Sequence, residues 1–258
     1  MTSDTAGRRV IRAADRHHWR NSWLESWQSF PATGNFDFAA NAFGVLLVHN
    51  DDTIAPGEGL DAHEHSTVEI VTWVVDGTLV HRDSEGSTGT IPPGVAQRMS
   101  AGDRVVHSER NGSSRLSDEW LRVVQMWIAP DTAGGPAQYD EKDFTAPLGA
   151  GGLVPVVSGM RRDAASGAIG IGNSDAALHV ARMRAGDEVT VPDAPYVHVY
   201  VTRGSVEVGS AGAPSDSELS QDTLSEGDAL RARSSGAQVI RAVEDAEILV
   251  WEMHAGVK

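Results

Sequence analysis

GEGLDAHEHSTVEIVTWVVDGTLVHR, residues 57–82, is the stretch on which the fold turns. From Val68 to Val75 it is a strand-length run of β-branched and apolar residues. Asp76-Gly77 is a strong hairpin signal, and Thr78 to Arg82 returns as the partner strand. Ahead of the hairpin stand His63 and His65, two residues apart. Side chains at that spacing share one face of a strand, so both imidazoles point the same way. His107-Ser-Glu109 repeats the spacing downstream. Two strands laid side by side would gather three imidazoles and one carboxylate. Three nitrogens and an oxygen with positions left open suit a divalent transition metal that handles a substrate or dioxygen.

Outward from this stretch, short apolar runs alternate with turn residues. Phe43 to His49 reads as a buried strand, with His49 expected to make a local hydrogen bond at its end. Asn50-Asp51-Asp52-Thr53 reads as a turn. Val105 to His107 and Trp120 to Ile128 are further strands, and Ala129-Pro130 ends the series. Strands at this spacing imply a small antiparallel barrel or sandwich. Upstream, Trp23, Trp27, Phe30, Phe36 and Phe38 are expected in the core or lining a pocket. Gln125 and Trp127 alternate onto one face and are candidates to line the pocket, with core packing the plainer role for Trp127.

The second half repeats the first in outline. Ala177–Met183, Val197–Thr202 and Glu247–Glu252 read as strands, with turns at Gly186-Asp187, Arg203-Gly204 and Gly227-Asp228. Aligning Gly77 with Gly204 sets His63 against Thr190 and His65 against Pro192. Aligning Gly102 with Gly227 sets His107 against Ala232 and Glu109 against Ser234. The expectation is an all-β chain of two tandem barrels, residues 1–130 with the ligand set and 153–258 without it. Residues 131–152, rich in glycine, proline and small side chains, are expected to be the linker.

Composition limits the partners. The chain has 258 residues and a formal net charge of -15, which argues against a nonspecific grip on nucleic acid or anionic lipid. No run is long and apolar enough for a membrane helix, and MTSDTAGRRVIRAADRHH lacks the apolar region of a signal peptide. With no cysteine there is no disulfide, zinc-thiolate site or cysteine nucleophile, which agrees with a cytoplasmic location. A monomer is expected, because two fused barrels bury the surface a barrel dimer would.

The run Gly57…His63-x-His65…Glu69 resembles the first motif of the cupin superfamily. Residues 50–111 as a whole resemble the pirin family, whose members carry two cupin domains. The matching pieces include Pro56-Gly57, Glu69-Ile-Val-Thr, Gly77-Thr-Leu-Val-His-Arg-Asp-Ser84, Gln97-Arg-Met-Ser-Ala-Gly102 and His107-Ser-Glu109. Trp23-Leu-Glu-Ser-Trp-Gln-Ser-Phe30 and Gln125-Met-Trp-Ile128 extend the likeness. The resemblance implies two double-stranded β-helix barrels, the first holding iron through His63, His65, His107 and Glu109. Fe(II) is the implied metal, with other first-row divalent ions equally suited to the donor set. It further implies a quercetin 2,3-dioxygenase-type cleavage of a flavonol or similar enol by dioxygen, with Glu109 as ligand and proton acceptor. The alternative is a metal- or redox-responsive regulator that binds a transcription factor or a metabolic enzyme. Glu69, on the same face as the two histidines if the alternation continues, is expected to orient an imidazole through its free N–H. One departure is Glu64, where the family commonly has proline; on a strand it points away from the metal.

Overall fold

The computed structural model describes residues 7–30, 37, 41–211 and 222–257. Phe36 and Phe38 lie outside them. The first half runs β1 (Gly7–Ile11), β2 (His17–Arg20), β3 (Leu24–Gln28), β4 (Leu46–Ile54), β5 (Gly59–His65), β6 (Glu69–Asp76), β7 (Leu79–Asp83), β8 (Thr88–Ile91), β9 (Val95–Ser100), β10 (Val105–Asn111), β11 (Leu121–Ile128) and β12 (Gln138–Asp143). A short helix, α1 (Thr145–Gly149), leads to the second half. There follow β13 (Val154–Ser158), β14 (Ile169–Gly170), β15 (Ala176–Met183), β16 (Glu188–Val191), β17 (Tyr196–Arg203), β18 (Ser205–Ser210), β19 (Asp222–Ser225), β20 (Ala229–Arg233), β21 (Gln238–Ala242) and β22 (Ala246–Met253). No helix among the described residues is long and apolar enough to cross a membrane.

Each half closes a large sheet over a small one. The first pairs the order β12-β9-β6-β11-β4-β3-β2 with β5-β10-β7-β8; the second pairs β1-β20-β17-β22-β15-β13-β14 with β16-β21-β18-β19. The fold is all-β, two cupin barrels in tandem. The chain turns at Asp76-Gly77, but the expected hairpin does not form: β6 stays in the large sheet against β9 and β11, while β7 crosses to the small sheet against β8 and β10. The two large sheets meet face to face. Val71, Trp73, Val124 and Met126 from one pack with Leu178, Tyr200, Leu249 and Trp251 from the other in one apolar cluster. The indoles also bond across it: Trp73 Nε1 donates to Glu247 Oε1 at 2.8 Å, and Trp251 Nε1 donates to Met126 Sδ at 3.1 Å.

The barrel interiors differ. The second is filled by a continuous apolar cluster that includes Val189, Val191, Val206, Ile240 and Ala242. In the first, two smaller clusters stand apart, one around Ile54, Leu79 and Leu121 and the other around Ile70, Met99 and Val105. The barrel also buries Thr72, His81, Gln97, His107 and Glu109. A barrel that gives up that much apolar filling for polar groups does so where those groups have a use.

Several sequence-based expectations are revised. Residues 50–53 do not turn: they run inside β4, opposite β11 and β3. Their polar groups find strand partners instead of solvent, Asp51 accepting from Arg122 Nε and Nη2 at 3.0 and 2.8 Å and from the Tyr200 hydroxyl. The domain limits shift as well. β1 leaves the first half and pairs with β20 of the second, Val10 opposite Leu230. Within the expected linker, β12 pairs with β9, Tyr139 opposite Met99, and so belongs to the first barrel's sheet. His49 makes no local hydrogen bond; it is fully buried between the large sheets, its ring 4.9 Å from that of His198.

Strand order also corrects the repeat. β5 pairs β10 with His63 opposite His107, while the corresponding β16 pairs β21 with Val189 opposite Ile240. β10 sets Glu109 opposite His81 on β7, and β21 sets Ala242 opposite Val206 on β18. The counterparts of His63, His65, His107 and Glu109 are therefore Val189, Val191, Ile240 and Ala242. Alignment on the hairpin glycines slipped by one because the connection between β16 and β17 is one residue longer than that between β5 and β6. Gly227 precedes β20, the counterpart of β9, so it was not the partner of Gly102.

Candidate metal centre

β5 and β10 deliver the cluster. Both strands lie in the small sheet of the first barrel, and the register sets His107 directly across from His63. A bulge follows: between His107 and Glu109 the partner residue jumps from His63 to Leu60. Bulges re-aim side chains at barrel rims, and this one sets where Glu109 points. Gly59 makes the close approach possible, because a Cβ there would stand 2.2 Å from the Glu109 carbonyl oxygen.

The imidazoles of His63, His65 and His107 converge. Ring centroids are 4.9 Å apart for His63–His65, 4.4 Å for His63–His107 and 5.0 Å for His65–His107. One ligand atom from each lies within 4.8 Å of the others. His81, His107 and Glu109 form a second, overlapping group at the same limit. Glu64 points outward and pairs with Arg104, Nε to Oε2 at 2.7 Å.

The surroundings orient the donors. His63 Nδ1 lies 2.8 Å from the Asp61 carbonyl oxygen, which can only accept. Nδ1 therefore carries the proton and Nε2 keeps its lone pair. Gln125 Nε2 donates to Glu109 Oε2 at 2.6 Å, and Trp127 Nε1 donates to Gln125 Oε1 at 3.1 Å. The Trp127 ring also stands edge-on to His65, with centroids 4.8 Å apart. Gln125 and Trp127 thus sit beside the cluster, one holding the carboxylate and the other holding Gln125 and walling His65.

Glu69 does not join them. β5 ends at His65, and the chain turns through Thr67, whose φ is 53°, before β6 begins in the large sheet. The alternation that would have carried Glu69 to the histidine face is broken there. Its Oε2 accepts from Ser100 Oγ at 2.7 Å, in a separate cleft.

His81 and Tyr139 were not singled out by the sequence reading. His81 is wholly buried on β7, with Nδ1 4.0 Å from Glu109 Oε1 and Nε2 3.3 Å from Asp83 Oδ2. Tyr139, from β12, stacks on its ring at 4.8 Å. The spacing Leu79-x-His81-x-Asp83 on a predicted strand was the available signal for His81. For Tyr139 there was none, because its strand lay inside a segment of linker composition.

Electrostatics keeps the His65 and His107 imidazoles neutral. Burial, then the neighbouring histidines, lowers His65 to about 4. His107 is also lowered to about 4 by burial, against the opposing pull of Glu109. For Glu109, burial would raise the pKa, but His81, His107 and Gln125 together hold it below its usual value. Neutral imidazoles beside an ionised carboxylate are the protonation states a metal requires. His65 Nε2, both ring nitrogens of His107 and Glu109 Oε1 are buried without a protein partner. Unpartnered buried polar atoms are costly, and these fall in the two metal-ligand groups that share His107. The residues therefore fit a first-row divalent metal.

The family model described as Pirin matches residues 8–128. A Mycobacterium tuberculosis protein provisionally named a quercetin 2,3-dioxygenase is 41% identical over 251 residues, 97% of each chain. This chain belongs to the pirin family. Another member, an Escherichia coli protein named quercetin 2,3-dioxygenase, is 39% identical over 138 residues, covering 54% of this chain and 58% of its own. The crystal structure of the E. coli pirin YhhW in complex with nickel(II) superposes with a TM-score of 0.81 at 30% identity, over 97% of this chain and all of the other. The likeness to YhhW spans both barrels.

Proposed function

We propose that this pirin is a metal-dependent dioxygenase of the quercetin 2,3-dioxygenase type, acting on a flavonol or a similar small enol. The observation that carries the reading is the gathering of His63, His65 and His107, with Glu109 grouped on the shared His107, where His65 Nε2, the His107 nitrogens and Glu109 Oε1 have no hydrogen-bond partner. Two relatives bear that enzyme's name, one of them provisionally. Fe(II) is the metal proposed, and the same donors would accept another first-row divalent ion.

The bound ion would supply Lewis acidity and a template that brings an enolate and dioxygen together. The chain's own groups do the rest. His63, fixed by Asp61, and His65, walled by Trp127, present neutral nitrogens. Glu109 Oε1, with Oε2 anchored by Gln125, is an ionised acceptor placed to take the enol proton. Trp127 and the apolar clusters on either side exclude water from the reacting groups.

The test is metal analysis followed by dioxygen uptake with quercetin and a panel of small enols. Metal-loaded protein should consume dioxygen, and His63→Ala should lose both metal and uptake. A fully loaded protein that consumes none with any enol in the panel overturns the catalytic reading. The regulatory alternative, a metal-responsive protein binding a transcription factor or metabolic enzyme, then predicts a captured partner set that changes with the metal's oxidation state.

A further inference from the structure

Glu69, left over from the metal centre, opens onto a cleft of about 580 Å³ where the first barrel's large sheet meets the second half. Thr67, Ser100 and Arg98 line it from one side, and Gly159 and Gly170 to Gly172 from the other. Two opposite charges sit at its floor. Arg98 is 7% exposed and Glu69 is 5% exposed. They do not pair directly. Arg98 Nη1 donates to Ser100 Oγ at 3.0 Å, and Ser100 Oγ donates to Glu69 Oε2 at 2.7 Å. Sharing one hydroxyl holds the guanidinium and the carboxylate about two hydrogen-bond lengths apart.

Both charges keep unused valence. Arg98 forms no ion pair among the described residues, and the bond to Ser100 uses one of its five N–H donors. Its Nε is buried without a partner. Burial lowers its pKa, and Glu69 and Asp140 only partly offset that, as expected of a cation short of compensation. Glu69 Oε1 faces Gly172, where a Cβ would stand only 2.8 Å away. Glycine at that position keeps the carboxylate reachable from the cleft. With a net charge of -15, the molecule as a whole repels anions, so any anion held here is held by local geometry.

We propose that this cleft binds a small carboxylic acid that carries a hydrogen-bond donor, hydroxyl or ammonium, on the carbon next to the carboxylate. The ligand's carboxylate accepts from Arg98, and its neighbouring donor is taken by Glu69 Oε1. Through Ser100 the two groups are held close enough for one small ligand to reach both. The site is separate from the histidine cluster and does not depend on the reaction assigned to it.

Three probes of nearly equal size decide the matter: propionate, which lacks the donor, L-lactate, which has a hydroxyl, and L-alanine, which has an ammonium group. Each is titrated into the metal-loaded full-length protein, with binding followed by ligand-observed NMR. Lactate, alanine or both should bind saturably, at least ~10-fold more tightly than propionate, since a buried acceptor left unmatched costs affinity. Arg98→Gln should abolish binding, and Glu69→Gln should erase the advantage over propionate, both with metal content unchanged. Gly172→Ala, which keeps both charges and crowds Glu69, should weaken binding and serves if the charge variants fold poorly. Absence of saturation with all three probes, equal binding of all three, or lactate binding that survives Arg98→Gln or Gly172→Ala overturns the proposal.

Discussion

At the scale of single residues, the four candidate ligands were legible because their chemistry is local. Two His-x-His or His-x-Glu pairs need only the two-residue period of a strand to share a face. The residues that hold them were less visible. Gln125 is an ordinary strand residue until β11 sets it against Glu109. Its replacement by leucine would leave Glu109 Oε2 buried and unpartnered. Gln125→Leu should bind metal some 10- to 100-fold more weakly, as measured against a competing chelator. It should also lose about 1–3 kcal/mol of stability in urea denaturation. Glu64 lies between two ligands in sequence, yet it faces solvent and pairs only with the exposed Arg104. Glu64→Ala should cost less than about 1 kcal/mol and leave metal affinity unchanged; a large loss of metal would mean that Glu64 reaches the centre.

At the scale of elements, the turn at Asp76-Gly77 and the long apolar strands were readable from pattern, since turn chemistry and β-branched runs act over a few residues; the crossing of β7 to the other sheet was not. The failures have a common physical origin. Asn50 to Thr53 has turn composition, but Arg122 and Tyr200, distant in sequence, supply partners that let it continue as strand. Tyr139 to Asp143 has linker neighbours, but β9 offers an open edge that it pairs. In both cases long-range hydrogen bonds overrode local preference. The strength of that override can be measured. Asp51 is nearly buried and serves both Arg122 and Tyr200, so Asp51→Ala leaves Arg122 with Glu226 alone and the buried Tyr200 hydroxyl without its acceptor. Asp51→Ala should destabilise by about 1–3 kcal/mol in chemical denaturation. A loss below about 1 kcal/mol would show that β4 holds its course through backbone pairing alone.

At the scale of the whole molecule, the duplication was legible but its register was not, because one additional residue between β16 and β17 is invisible without strand pairing. The interface between barrels carries its own titration. Burial, with Arg16 adding to it, lowers His49 to about 3, and His198 lies well below its ordinary value for the same reason. Below pH 6.5 the unfolded chain protonates these rings while the folded chain does not. The unfolded state then binds more protons, and stability falls as pH drops from about 6.5 toward 3. His49 contributes a slope of about 1.4 kcal/mol per pH unit within that window, and His198 adds to it in the same direction. His49→Leu should flatten the fall by that amount in denaturation series across pH, and an unchanged slope would place the acid sensitivity elsewhere. The crossing of β1 bears on how the chain is made. Synthesis delivers the first barrel complete once β12 has left the ribosome, and domains commonly fold in that order. β1 precedes the first barrel's strands in the chain but pairs with β20 of the second, so a strand made before that barrel is placed after it.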